Sequence, residues 1–540
     1  MTFKKVLFLV ILSVLCISVS AQFASFRSLS TAGLIDDDIE AMLAVTEMTY
    51  VEGFNIFTNL SNFNYQSEEI FNNYSENYLI GFKGAMMDML HVGFLSSSDG
   101  YSIGDTLTAI STTYADNNND EQYDEFASEV EDWRDFSSSN DSKNFFALAF
   151  GKKEGIKAGF SYFNQRGASD YKQNYTDAQR DSNMISGDLI GLYKYWYDYS
   201  DGNSYTNNYF SLNGAMATGS FEAALSLDFG FLKYDYNYLE GDSSYNDLNP
   251  SSNVITIEEY YRWQDKENYT QTGFNWNVGI KTYYRINEDS LEIGGNFSNT
   301  NFAKTPYFYD EVYYESYIYP GIVDDELYSY RDTASLSDSN STVSENYTSW
   351  NLGAKFVKSL EKAFFAMGIG VGQSKNFYID TMNFDYRVDE SYDNGDGIQD
   401  GTDFTYVETG TYSAEFTYNE LSTHLYLPVG LEYNFWGPLV GRLGANTTLY
   451  WGSGYESERY LSYDPGTGTY TYGDGSVYEY LNETYSSRND YEAQINYFDR
   501  YTDFSYGIGW QISKNVKIDL MGYSDLTSLT DWRISANVKF

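Results

Sequence analysis

The last nine residues, Trp532-Arg533-Ile534-Ser535-Ala536-Asn537-Val538-Lys539-Phe540, alternate apolar and polar up to the final position. Side chains of an extended strand point to opposite faces in turn. Trp532, Ile534, Ala536, Val538 and Phe540 therefore share one face, and Arg533, Ser535, Asn537 and Lys539 the other. One face suits lipid and the other suits water. A strand of about ten residues divided in this way is what a transmembrane β-strand requires, whereas a core strand of a soluble sandwich has no need to end on an aromatic carboxy-terminus.

The same period of two runs back through the chain. Thr270, Thr272, Phe274, Trp276, Val278, Ile280, Thr282 and Tyr284 form one face of a long segment, with Gln271, Gly273, Asn275, Asn277, Gly279, Lys281 and Arg285 on the other. Leu443, Ala445, Thr447, Leu449 and Trp451 stand against Arg442, Gly444, Asn446 and Thr448, and Val516, Ile518 and Leu520 against Lys517 and Asp519. Tight connections near 87–88, 152–154, 219–220, 287–289, 361–362, 436–437 and 514–515 take turns with long polar ones over 99–142, 166–205, 237–268, 301–342, 377–410 and 454–499. That asymmetry predicts an all-β fold, a transmembrane antiparallel up-and-down β-barrel with short periplasmic turns, long extracellular loops and both termini periplasmic. Strands are predicted at 54–63, 78–87, 89–98, 143–151, 154–165, 206–219, 221–236, 269–286, 289–300, 343–358, 362–376, 411–433, 438–453, 500–513, 515–523 and 531–540, sixteen in all. Fourteen remain if a hairpin near the N-terminus leaves the wall. Segment 187–199 also alternates, and is assigned to an extracellular loop as a hairpin standing above the membrane.

Lys4 and Lys5, an apolar run from Val6 to Val19 and the small residues up to Ala21 have the layout of a signal peptide, so residues 1–21 are expected to be removed. Cys16 is the only cysteine and lies inside that leader. The remainder has no disulfide, thiolate nucleophile or cysteine-ligated metal. A net charge of −44 excludes nucleic acid as a partner, because phosphate backbones need positive grooves. The 56 Tyr, 36 Phe and 44 Gly beside only 6 Pro argue for a folded wall with aromatic girdles rather than an acidic disordered chain.

The closing strand ending on Phe540 resembles the terminal signature of bacterial outer-membrane barrels. The resemblance implies a chain embedded in outer-membrane lipid, with its last strand read by the barrel-assembly machinery. Ahead of the first strand, residues 22–52 contain Ala32-Gly33-Leu34 and then Asp36-Asp37-Asp38-Ile39-Glu40-Ala41-Met42-Leu43, a short helix capped by an aspartate. This layout resembles the N-terminal region of the outer-membrane long-chain fatty-acid transporter family. Ala44-Val45-Thr46-Glu47-Met48 stands where members of that family commonly carry Asn-Pro-Ala. The resemblance implies that 22–52 is a periplasmic or lumen-plugging segment ahead of a barrel over 53–540, and that the cargo is hydrophobic.

Catalysis is not expected. His91 and His424 are the only histidines, and neither sits in a nucleophile or metal motif. Leu421, Thr423, Leu425, Leu427 and Val429 form an apolar face, so His424 points to the lumen. Tyr392-Asp-Asn-Gly-Asp-Gly-Ile-Gln-Asp-Gly-Thr-Asp403 resembles the oxygen-rich calcium loops of EF-hands, dockerins and thrombospondin type 3 repeats. Asn394, Asp396, Asp400 and Asp403 hold places three, five, nine and twelve, and Asp393 substitutes for Tyr392 at place one. A poorer copy covers Asp116–Asp124; the bland reading of both is a solvated acidic turn. The aromatic runs 307–309, 313–314, 317–319 and 470–472 read either as strand extensions or as surfaces for sugar or protein.

The expected function is a channel or transporter passing an unknown small molecule by passive or affinity-guided diffusion, with Lys281, Arg285, His424, Arg442, Asn446, Arg533 and Lys539 lining the lumen. The alternative is a non-transporting surface barrel whose acidic loops bind a protein or glycan.

Overall fold

The computed structural model describes residues 25–51, 53–64, 76–87, 89–115, 125–183, 189–248, 257–286, 289–304, 308–320, 327–338, 342–393, 401–481, 490–523 and 531–540. The leader 1–21, with Cys16, lies outside them. The strands are β1 (Asn55–Asn64), β2 (Glu76–Met87), β3 (Leu90–Ala115), β4 (Glu125–Phe150), β5 (Gly155–Asn183), β6 (Leu189–Thr218), β7 (Phe221–Leu248), β8 (Ile257–Ile286), β9 (Asp289–Lys304), β10 (Phe308–Pro320), β11 (Leu327–Asp338), β12 (Thr342–Leu360), β13 (Ala363–Asp393), β14 (Phe404–Trp436), β15 (Leu439–Tyr472), β16 (Val477–Leu481), β17 (Tyr491–Ser513), β18 (Val516–Tyr523) and β19 (Asp531–Lys539). All pair antiparallel in one sheet, and β19 returns to β1 through nine residue pairs from Asn55↔Lys539 to Asn64↔Asp531.

Sixteen of these strands form the closed wall. β10 and β11 are a hairpin inserted between the far ends of β8 and β13, while β9 pairs directly with β12 below it. β16 is a short partner on the far end of β15. The sixteen-strand reading holds, and the fourteen-strand variant is corrected: β1 and β2 are wall strands that pair with each other and with β19 and β3.

Closure gives each of the sixteen wall strands a hydrogen-bonded partner on both sides, the condition for a β-structure in hydrocarbon. The outer face meets the other condition. Leu225, Ile280, Ile293, Leu352, Ile369, Val429, Leu443 and Ile508 are exposed on successive strands. Outward aromatics run together across neighbouring strands, Phe210 to Phe231 to Phe274 at centroid distances of 6.3 and 5.6 Å and Trp276 to Phe297 at 5.4 Å. Among the described residues no helix is long and apolar enough to cross a membrane.

One end of the barrel carries the tight turns, as the alternation of short and long connections predicts. At the other end the long polar segments prove to be ordered wall. β15 has 34 residues and β14 33, and β3 to β8 have 26 to 30 each. Thirty residues at ~3.3 Å each make a strand of ~100 Å, far beyond the roughly ten residues that lipid needs. Segments 99–142, 166–205, 237–268, 377–410 and 454–499 are therefore mainly strand extensions instead of loops, and 189–199 is the far end of β6, paired on both sides. Residues 308–320 and 470–472 are strand as well.

Residues 25–51 lie inside the wall as α1 (Phe26–Leu29), α2 (Asp38–Leu43) and a 3-10 turn (Val45–Tyr50). Asp37 caps α2, and Glu40 reaches back to the Asp37 N–H at 2.9 Å, a reciprocal capping box. Met42, Val45 and Met48 pack with Phe57, Leu79, Leu95, Phe145 and Phe163 of the first five strands, and Leu34 and Ile35 with Val357 and Ala366 across the lumen. The chain passes from this segment into β1 at Gly53. Its φ is +75°, and a Cβ there would stand 2.9 Å from the carbonyl oxygen of Phe540, whose N–H donates to the Phe54 carbonyl at 2.8 Å.

Gly53→Val should strain this junction by about 1–2 kcal/mol from the left-handed backbone alone, with the Phe540 clash added. Gly214→Ala, a glycine with open space around its would-be Cβ, is the control. Urea unfolding followed by heat-modifiable gel mobility should show a lower midpoint for Gly53→Val and an unchanged one for Gly214→Ala.

Candidate functional site: a chamber floored by the N-terminal segment

Polar residues on the inner face of each strand surround a cavity of about 1200 Å³ above residues 28–47. Its floor is made of Ser28, Leu34, Asp36, Glu40, Leu43 and Glu47, and its wall is rich in hydroxyls and amides. The wall groups bond to each other across strands: Asn277 to Asp228 at 2.6 Å, Ser298 with Ser349 at 2.7 Å, Ser374 with Ser422 at 2.6 Å, and His424 Nε2 with Asn351 Oδ1 at 2.8 Å.

The floor is clamped by two runs of alternating charge. In the first, Lys157 pairs with Glu222 at 3.1 Å, Glu222 with Arg285 at 3.4 Å, Arg285 with Glu47 at 3.9 Å and Glu47 with Lys281 at 3.8 Å. Lys281 then pairs with Glu292 at 2.8 Å, Glu292 with Lys355 at 3.7 Å and Lys355 with Asp36 at 2.6 Å. In the second, Arg27 pairs with Glu432 at 2.8 Å, Glu432 with Arg442 at 2.8 Å, Arg442 with Asp519 at 2.5 Å, Asp519 with Lys517 at 3.2 Å and Lys517 with Asp37 at 2.5 Å. The internal segment supplies Asp36, Glu47, Arg27 and Asp37; the wall supplies the rest. Tyr50 adds its ring beneath the Lys157 ammonium, 3.7 Å away, and its hydroxyl to Glu222. Glu47 also accepts from the Tyr283 hydroxyl.

Burial dominates the titration of the floor. It pushes the carboxyls of Glu40 and Glu47 up to about 7, against the Ser25 and Asp37 N–H groups that favour the Glu40 anion and the Lys281 and Arg285 charges that favour the Glu47 anion. Asp37 moves the other way. Although burial raises it, the Lys517 and Arg27 charges prevail and hold its carboxyl below the usual range.

The residues singled out from strand parity are placed as follows. Lys281, Arg285 and Arg442 reach the internal segment or its charge runs, and Lys281 also lines the cavity. His424 lines the chamber. Asn446 keeps its Oδ1 buried without a hydrogen-bond partner. Lys539 lies beside Asp38, which also bonds to Asn537. The Arg533 backbone pairs with Asn62 and Met521, and its side chain lies outside the described residues. Asp393 ends β13 opposite Ser329. Asp403 is buried, its carbonyl accepting the Gly473 N–H at 2.9 Å. Asn394, Asp396 and Asp400, and the whole of 116–124, lie outside the described residues. Among the described residues no group of three or more His, Cys, Asp or Glu side chains could hold a metal ion. His91 and His424 stand on β3 and β14.

Parity could also have found Glu222 and Glu432 on the inner faces of their strands, as it set Asp519 beside Lys517. A further signal is the set of inner-face glycines on which the floor rests. A Cβ at Gly93 would stand 2.7 Å from the Met42 sulfur, at Gly159 2.6 Å from Val45, at Gly430 2.6 Å from the Thr31 carbonyl and at Gly507 2.9 Å from Ser30.

No protein-family model and no curated protein matches the sequence. Solved structures that the chain matches include the ferric enterobactin receptor PfeA of Pseudomonas aeruginosa, at 9% identity and a TM-score of 0.25 over 91% of this chain and 82% of that one. The alcaligin receptor FauA of Bordetella pertussis gives 9% and 0.22 over 91% and 76%, and the copper transporter OprC 9% and 0.22 over 90% and 80%. Similarity this low carries no argument about cargo, and it gives no support to the resemblance of residues 32–48 to fatty-acid transporters. The geometry itself shows a closed antiparallel β-barrel with a wall of sixteen strands.

Proposed function

We propose that this chain is an outer-membrane transporter in which residues 25–51 plug the barrel and gate a chamber facing the cell exterior. The observation that carries the reading is the manner of plug attachment. Arg27, Asp36, Asp37 and Glu47 hold it by ion pairs at the edge of a polar cavity, which water can replace group by group, so this side of the plug can shift while Met42, Val45 and Met48 stay in their apolar seat against β1 to β5. The tight turns and both termini then face the periplasm. A chamber walled by Ser, Asn and Tyr suits a polar solute better than the hydrophobic cargo that a fatty-acid transporter would take. Passage is by diffusion guided by affinity for that wall.

One observation favours a second reading, a surface anchor that binds a protein or glycan. Strands of up to 34 residues carry an ordered acidic wall far above the lipid. Planar-bilayer conductance and liposome uptake separate the two. Deleting residues 25–51 should raise single-channel conductance several-fold under transport; a chain that neither conducts nor admits small solutes with or without the plug is an anchor.

The latch yields two further outcomes. Glu432→Gln leaves Arg27 without its carboxylate partner and Arg442 with Asp519 alone, weakening plug docking by roughly 3 kcal/mol. It should raise channel open probability and hydrogen exchange across 25–51. The raised carboxyls of Glu40 and Glu47 mean that the docked plug binds protons more tightly than the released one. The contribution of these two carboxyls to docking is therefore fully present below about pH 4.5 and is lost progressively as pH rises through about 7. Conductance should be lower at pH 5 than at pH 8, and Glu47→Gln should flatten that dependence.

A further inference from the structure

The chamber wall built by β13, β14 and β15 concentrates hydrogen-bond acceptors and aromatic rings around one carboxylate. Glu420 receives the phenol protons of Tyr418 and Tyr497, one on each oxygen. Both phenols thus turn their lone pairs, not their protons, to the surroundings. Asn376 faces Glu420 across the β13–β14 ladder and lines the chamber. It is 8% exposed, and its Oδ1 is left without a hydrogen-bond partner. Buried amide oxygens are rarely orphaned unless something outside the chain completes them.

The rings are held for use. Tyr450 stacks on Tyr497 at 5.4 Å and 27°, and Tyr497 lies flat over Gly452, where a Cβ would meet the ring at 2.4 Å. Tyr426 sits against His424 at 4.6 Å. No cation of the chamber compensates Glu420. Among the described lining residues the cations are Lys281 and Lys355, both engaged at the floor with Glu47, Glu292 and Asp36.

We propose that this wall binds a small organic cation carrying a protonated amine, with the ammonium held between Glu420 and Asn376 Oδ1 and the carbon frame laid against the Tyr450 and Tyr426 rings. An ammonium has only donors to offer, and the site has an uncompensated carboxylate, an orphan acceptor and π-faces to receive it. A neutral polyol would satisfy the acceptors and leave the charge unmatched. This assignment rests on the reading of the cavity as a transport chamber and names the class of its cargo.

The test uses the full chain in detergent, titrated calorimetrically at constant salt with putrescine, with 1,4-butanediol as its uncharged counterpart and with maltose. Putrescine should bind at one saturable site, Glu420→Gln should weaken it about tenfold or more, and Asn376→Asp, which adds a second carboxylate, should tighten it. Butanediol and maltose should not bind. Absence of putrescine binding, indifference to both substitutions, or preferential binding of maltose overturns the assignment. Asn376→Asp keeps the test open should Glu420→Gln fail to fold. Putrescine entry into proteoliposomes separates the two claims. Binding that depends on Glu420 without entry removes the transport reading and leaves the site, whereas entry that ignores Glu420 removes the site and leaves transport.

Discussion

The ladder between Asn55–Asn64 and Asp531–Lys539 is the constraint on which the rest of this molecule depends. A sheet in hydrocarbon cannot leave a row of N–H and C=O groups unpaired, since each costs several kcal/mol. Every other ladder could form in an open sheet; only this one removes both edges at once. Its geometry is tightened where the two ends of the chain meet, at Gly53 against the Phe540 carbonyl and Phe54 against the Phe540 ring, 6.3 Å apart. Once the ring is closed, inner and outer faces are fixed for all sixteen strands. The apolar residues then meet lipid, and the charges meet one another.

Those inner charges settle as alternating runs because isolation in the lumen would be costly. Lys157 and Glu222 are fully buried, and each meets the other's charge. Threading Asp36, Glu47, Arg27 and Asp37 of the internal segment into the same runs makes the wall's electrostatics and the plug's position one problem. Moving the plug leaves wall charges to be taken over by water, ions or a ligand. Such an exchange is tolerable in a wet lumen and would not be in a dry core.

Sequence reading located all sixteen wall strands, because within the membrane band one face is lipid and the other water and the two environments write a period of two into the chain. Above that band both faces meet water, and the pattern dissolves. Tyr195, Tyr197 and Tyr199 alternate with Trp196 and Asp198, so 166–205 and its counterparts resemble polar loops while being strands. The floor was harder still. Met42, Met48 and Val45 read as ordinary apolar residues, and the seats of the two methionines on Gly93 and of Val45 on Gly159 are invisible until the chain is folded. Inner-face charges were legible as lumen-facing, but a charge that lines a route and one that locks a plug have the same sequence signature. Lys281, Arg285 and Arg442 illustrate this.

The pairing of Asn55 with Lys539 also governs the order of events in assembly. Its two halves lie at opposite ends of the wall-forming chain, so no closed barrel exists until Asp531–Lys539 has been made and delivered. Until then, strands bearing Ile, Leu and Phe on one side must travel through water without pairing wrongly. A chain with a net charge of −44 and a mean hydropathy of −0.48 is suited to that interval, since self-repulsion delays collapse and hinders aggregation. The internal segment has its own deadline: it touches strands from both halves of the sequence, so it has to be in place when the seam shuts, or enter afterwards through the mouth at the tight-turn end.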